Sequence, residues 1–174
     1  KYLAMTGITA GIKDSEVDLG DALVFQYSWD YNAGKIKQNN NKEKVFEVDM
    51  RQEKLDNNLY LNFDNLKRDV QFLFNTYNRY KPSKPSTLLK IHIGHVASGA
   101  AVIANESIAK EVKDQARKLL GIEMEGYGIF CSANNAIEPK PIPLVIKSVC
   151  DYADENKNDD IQDYAAYTSA QILY

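Results

Sequence analysis

Apolar runs alternate with apolar periodicities along this chain. Tyr2–Ile8 reads as a short buried strand that ends in a glycine-bounded turn, Gly7-Ile-Thr-Ala-Gly11. Ala22–Tyr27 (ALVFQY) reads as a second strand opened by Gly20-Asp21, and the polar run NNNKEK at 39–44 as an exposed loop before a short edge strand, Val45–Asp49. Leu66, Val70, Leu73, Phe74 and Tyr77 recur at helical spacing. They predict an amphipathic helix over Asp64–Tyr80, capped by Asp64 and broken by KPSKPS at 81–86. Leu88–Ile93 is a strand ending at Gly94, followed by a small-residue turn, Ala97-Ser98-Gly99. A helix is expected over Asn105–Leu120, with Ile108, Val112, Ala116 and Leu119 on one face and Gly121 as its stop. Another is expected over Glu123–Ala136. Pro141–Val149 (PIPLVIKSV) is almost continuously apolar, as in the buried middle of a parallel sheet. Ile161–Tyr174 closes the chain as a helix, with Ile161, Ala165, Thr168 and Ile172 inward. Strands alternating with helices predict an α/β fold with a mixed, mainly parallel sheet, in one domain over 1–174.

Composition narrows the function classes. The 174 residues are 44% hydrophobic, enough for a packed core. A net charge of −3 argues against a nucleic-acid binder, which shows a basic face. No apolar run approaches the roughly 20 residues of a membrane span. No secretory signal is visible, and a cytoplasmic location is expected. The two cysteines, Cys131 and Cys150, make no disulfide framework and read as reduced core thiols. His92 and His95 have no partner motif for a metal, and no cofactor is expected.

In α/β sheets ligands bind beyond the carboxyl ends of the strands. The two glycine turns and Asp151, just past Cys150, fall there. Glu123 and Glu125 are two apart, so on one helix they would point about 200° apart. Both face one ligand only if the first lies before the helix begins, so one serves structure and the other the pocket. An acid in the first turn completes the helix dipole, and a carboxylate held there would suit a vicinal diol such as a ribose. Asp154 either caps the following turn or supports Asp151, and DENKNDD (154–160) is expected to be a solvated loop. Trp29-Asp30-Tyr31 lines a base pocket, packs in the core or forms a subunit interface. Lys147 is an unusual lysine within an apolar strand, serving either pocket or packing.

Five blocks carry a family resemblance: AMTGITAG (4–11), LGDALVFQYSWDYNAGK (19–35), GHVASG (94–99), GIEMEGYG (121–128) and VIKSVCDYADENKNDDIQDYAAYTSA (145–170). Together they resemble the nucleoside phosphorylase/nucleosidase superfamily, with a tail similar to the methylthioadenosine/S-adenosylhomocysteine nucleosidases. The resemblance implies a three-layer phosphorylase/hydrolase-like fold, a small-molecule purine nucleoside substrate and a homo-oligomer. It implies that Glu125 binds the ribose hydroxyls, Met124 packs on the sugar and Asp151 is the general acid at purine N7. Glu123, Thr9, Ala10, Val102 and Ile103 are the further expected substrate-binding residues. Val102 stands where methylthioadenosine nucleosidases carry an aromatic that stacks on the base, and Cys150 where they usually have serine. Phosphorylases hold phosphate with an arginine and a serine around the first glycine turn. Here those positions are Met5 and Ile8, so water is favoured over phosphate as nucleophile. In the family a first strand and a water-activating glutamate lie upstream of AMTGITAG. The sheet is therefore expected to lack N-terminal strands and these residues alone to be weakly active or inactive.

Overall fold

The computed structural model describes residues 1–154 and 159–174. The polar run expected as a loop at 154–160 thus lies mostly outside the described residues. The strands are β1 (Tyr2–Gly11), β2 (Ala22–Asp30), β3 (Gly34–Gln38), β4 (Lys44–Val48), β5 (Glu53–Lys54), β6 (Ile91–Ser98), β7 (Leu119–Glu123) and β8 (Ile142–Asp151). The helices are α1 (Asn57–Leu66), α2 (Val70–Arg79), α3 (Glu106–Gln115), α4 (Gly126–Asn134) and α5 (Gln162–Leu173). No helix among the described residues is long and apolar enough to cross a membrane.

The six-stranded sheet has the order β5-β2-β6-β7-β1-β8 and is mixed, as expected. Its longest ladders, β1–β8 and β2–β6, are parallel. One feature departs from an open central layer between two helical layers. β8 also pairs with β2, antiparallel, so the sheet curls into a partly closed barrel. Closure demands close approach of strands. At Gly121 of β7 an added Cβ would sit 2.8 Å from the Ala10 carbonyl oxygen and 2.8 Å from Leu23 Cδ1, so only glycine fits.

The buried side chains form three clusters. Phe25, Val96, Val145 and Val149 pack on Phe130 of α4. Ala22, Val24, Leu144 and Ile146 meet Leu73 of α2 and Ile172 of α5. Trp29, Tyr31, Leu119 and Ile122 pack on Val112 of α3. The longer strands, β1, β2, β6 and β8, contribute β-branched and aromatic residues that suit a pleated, buried surface.

Several expected boundaries move. The helix expected over Asp64–Tyr80 is two helices, because Asp69 caps α2 by accepting from the Phe72 N–H at 2.9 Å. The Asp64 carboxylate lies inside α1, paired with Lys67 and Arg68, while Asp56 caps that helix. The helix expected to reach Leu120 stops at Gln115, and Gly121 lies within β7. Ile108, expected inward, is exposed. Gly7, Gly11 and Gly94 lie inside strands rather than in turns. The predicted edge strand pairs with β3 in a separate two-stranded sheet. The histidines are structural. His92 Nε2 lies 2.8 Å from the buried Asp21 carboxylate, and His95 sits edge-on to Tyr27 and Trp29.

Candidate active site

A cavity of about 340 Å³ opens where the carboxyl ends of β1, β7 and β8 meet the loop after β6. All the residues expected to bind substrate or act on it line it: Thr9 and Ala10 from β1, Val102 and Ile103 from the loop, Glu123, Met124 and Glu125 at the β7–α4 junction, and Asp151 at the end of β8. Met5 and Ile8, the positions that lack a phosphate-holding side chain, line it too.

The two glutamates divide the work as their spacing requires. Glu123 ends β7 and precedes the helix, so the opposed geometry of a shared helix does not arise. Its side chain is 2% exposed. Its carboxylate accepts from the Glu125 N–H at 2.9 Å, from the Gly126 N–H at 2.9 and 3.0 Å, and from the Ser98 hydroxyl. It therefore caps α4 at the positive end of the helix dipole. Glu125, the formal cap position, makes no side-chain cap bond, and its side chain is 54% exposed. Ser98 links the junction to β2, accepting from the Tyr127 N–H at 2.8 Å and lying 3.2 Å from Ser28 Oγ.

Lys147 joins the pair. It is buried in mid-strand, with Nζ 2.5 Å from Glu123 Oε2 and also hydrogen-bonded to Glu125 Oε2. A buried ammonium needs paired acceptors, and these two carboxylates supply them. The structure thus resolves the alternative left open for Lys147 in favour of the pocket wall. Sequence reasoning gave it no partner, and the signal available was the single charge in an apolar strand.

Asp151 stands on another wall and is 8% exposed. Its Oδ1 accepts from the Ala153 N–H at 2.9 Å. Ala153 holds φ of 55°, in the left-handed region, with its methyl buried, so the chain turns sharply after β8. Asp154 pairs with Lys13 at 3.1 Å rather than with Asp151 in the described contacts. Thr9 donates its hydroxyl proton to the backbone, 3.0 Å from the Ile122 carbonyl oxygen and 3.2 Å from that of Ala10.

The rim is apolar. Val102 is 63% exposed and Met124 42% exposed, whereas Ile103 is buried. Tyr31 supports the rim loop from behind, donating to the Ala101 carbonyl at 3.3 Å, and burial raises its phenol above the ordinary range. Trp29 does not line the cavity and does not lie on the surface. It is fully buried, with Nε1 donating to Gln115 Oε1 at 3.1 Å, so of the three roles offered for it the core is the one it fills.

No family model matches the chain. The chain is 36% identical over 172 residues to the uncharacterized protein y4jS of Sinorhizobium fredii, covering 99% of this chain and 41% of that protein. It is 27% identical over 181 residues to a death domain-containing ATP nucleosidase of Amphimedon queenslandica, covering 99% of this chain and 33% of that protein. The chain therefore spans less than half the length of these curated relatives. Among solved structures, the 5′-methylthioadenosine/S-adenosylhomocysteine nucleosidase of Neisseria meningitidis, in complex with methylthio-immucillin-A, superposes with a TM-score of 0.67 at 15% identity. The match covers 99% of this chain and 67% of that one. The chain has the fold of the 5′-methylthioadenosine/S-adenosylhomocysteine nucleosidases, members of the superfamily its sequence blocks resemble.

Proposed function

We propose that this chain carries the substrate pocket of an enzyme that cleaves the N-glycosidic bond of a purine nucleoside or nucleotide, with water as the nucleophile. One observation carries the reading. The Glu123–Lys147–Glu125 cluster and Asp151 line one cavity of about 340 Å³, large enough for a nucleoside-sized ligand.

In this reading Glu125, half-exposed and oriented by Lys147, accepts hydrogen bonds from the ribose hydroxyls. Met124 packs on the sugar. Val102, Ile103 and Ala10 flank the base, and Glu123 and Thr9 hold the walls. Asp151 gives its proton to purine N7. The bond from the sugar's anomeric carbon to the base then breaks, its electron pair goes to the base, and the sugar becomes oxocarbenium-like. General acid catalysis of this kind contributes typically about 10²–10⁴-fold. Water attacks the anomeric carbon and loses a proton to solvent, Asp151 takes one back from solvent, and free sugar and free purine remain.

Water is favoured over phosphate by the lining. Met5 and Ile8 cannot donate to an anion, Thr9 spends its proton on the backbone, and Lys147 is engaged by two carboxylates. The likeness to a protein named an ATP nucleosidase supports including nucleotides among the substrates. The same reading takes the enzyme as a cytoplasmic homo-oligomer without a resident cofactor.

The test is base release by the whole protein, followed by chromatography, from methylthioadenosine, S-adenosylhomocysteine, adenosine, inosine, guanosine and ATP, each with and without phosphate. Free purine without phosphate is the expected result. Release only with phosphate makes the enzyme a phosphorylase, and binding without release makes the domain a nucleoside sensor. Either result refutes the hydrolytic reading.

A further inference from the structure

β8 does not pair evenly with β1. Thr9 stands opposite Val149 and Ala10 opposite Asp151, so Cys150 is the extra residue of a bulge. In an even strand successive side chains point to opposite faces. Here the bulge brings two successive side chains, Cys150 and Asp151, to the same cavity.

Cys150 is buried, and its Sγ lies between two acceptors, 3.5 Å from the Thr9 carbonyl oxygen and 3.4 Å from Asp151 Oδ2. A thiol has one proton to donate and can accept weakly. It can donate to only one of these oxygens at a time. While Asp151 keeps its proton, Oδ2 can itself donate to Sγ, and the thiol proton is directed to Thr9. Once Asp151 has lost its proton, Oδ2 is part of an anion. Hydrogen bonds to ionised acceptors are roughly twice as strong as neutral ones, so the thiol proton then turns to Oδ2. Oδ1, the other oxygen, accepts from the Ala153 N–H at 2.9 Å.

We propose that Cys150 is a positioning residue whose thiol turns from the Thr9 carbonyl to Asp151 Oδ2 as the acid gives up its proton. It thereby stabilises the carboxylate that base departure creates. The proposal rests on the reading of Asp151 as the acid. No bond to sulfur forms or breaks. The proton that transfers is the one on Asp151, and it ends on the purine. Among the described residues, the other charged groups facing this end of the cavity are Glu123, Glu125 and Lys147 across it, and the Lys13–Asp154 pair beyond the end of β1.

The direct test is the infrared S–H stretching band of Cys150 in the whole protein, isolated as the difference between wild type and Cys150→Ser. It is followed with pH over the range in which circular dichroism stays native. The band is expected at lower frequency when Asp151 is ionised, to rise when Asp151 is protonated, and to stay fixed in Asp151→Asn. A band that ignores pH in wild type, or that moves equally in Asp151→Asn, overturns the proposal. Turnover supplies a second readout. Cys150→Ala should lower kcat about fivefold with KM little changed, the worth of one ordinary hydrogen bond, and Cys150→Ser should restore it. Equal losses in both variants would show that the thiol only fills space, and would also overturn the proposal. If the whole protein releases no base, the reading of Asp151 as the acid falls, while the infrared result still decides whether the thiol follows that carboxylate.

Discussion

Replacing Lys147 with Met separates the two glutamates by what each loses. Lys147 and Glu123 have side chains 5% and 2% exposed, whereas Glu125 is 54% exposed. Removing one partner of a buried ion pair costs about 3–5 kcal/mol, because the other charge stays buried without its counterion. Glu123 keeps the Ser98 hydroxyl, two backbone N–H groups and the α4 dipole, which places the loss near the lower limit, about 3 kcal/mol. For a chain of this size each kcal/mol lowers Tm by about 2–4 °C, so Lys147→Met should melt about 6–12 °C below wild type. Glu125→Gln should behave differently, because the Glu125 carboxylate is half in solvent and the buried Lys147 keeps Glu123 as its counterion, so the loss should be about 0–1 kcal/mol. Its Tm should lie within about 4 °C of wild type, while KM for the substrate rises. The assay is thermal unfolding by circular dichroism, paired with steady-state base release. A Lys147→Met protein as stable as wild type would refute the reasoning. So would a Glu125→Gln protein that loses as much stability as Lys147→Met.

Three further outcomes follow from the fold. Gly20 holds φ of 87°, and a Cβ there would meet Tyr164 Cε1 at 2.3 Å, so Gly20→Ala should lose about 2–4 kcal/mol in denaturant unfolding. Burial holds the His95 imidazole below its ordinary value of 6.5, and its Nδ1 is buried with no hydrogen-bond partner among the described residues. The neutral ring is thus favoured in the folded state. Its contribution is present above pH 6.5 and lost as pH falls toward the depressed folded value, so stability should drop less steeply on acidification in His95→Leu than in wild type. Asp151→Asn should lower kcat about 10²–10⁴-fold while nucleoside binding, measured by calorimetry, persists.

The strands with near-continuous apolar runs were legible. Pro141–Val149 announced β8, and Ala22–Tyr27 announced most of β2. The residues that line the cavity were legible chiefly through the blocks that carry the family resemblance, AMTGITAG, GIEMEGYG and the tail from Val145, rather than through the glycine turns. What stayed hidden has physical reasons. Barrel closure depends on β2 pairing with β8, a contact between residues more than a hundred positions apart that no local pattern encodes. β7 follows α3 with little punctuation, so Leu119 fits the helical periodicity although it lies in a strand. Gly11 of β1 and Gly94 of β6 resembled turn residues, yet they serve close packing, against Val149 and Leu120. Asp69, an acidic residue before an apolar period, was a readable cap that the longer periodicity masked. Lys147 could be flagged as unusual but not paired, because its partners come from the β7–α4 junction, more than twenty residues away.

The decisive measurement is base release by the whole protein in oxygen-18 water without phosphate, with Asp151→Asn alongside. The predicted result is free purine together with one oxygen-18 atom at the anomeric position of the sugar, before exchange with solvent, and loss of both in the variant. Release that continues undiminished in Asp151→Asn, or a sugar product that carries phosphate instead of the label, would contradict the proposed chemistry.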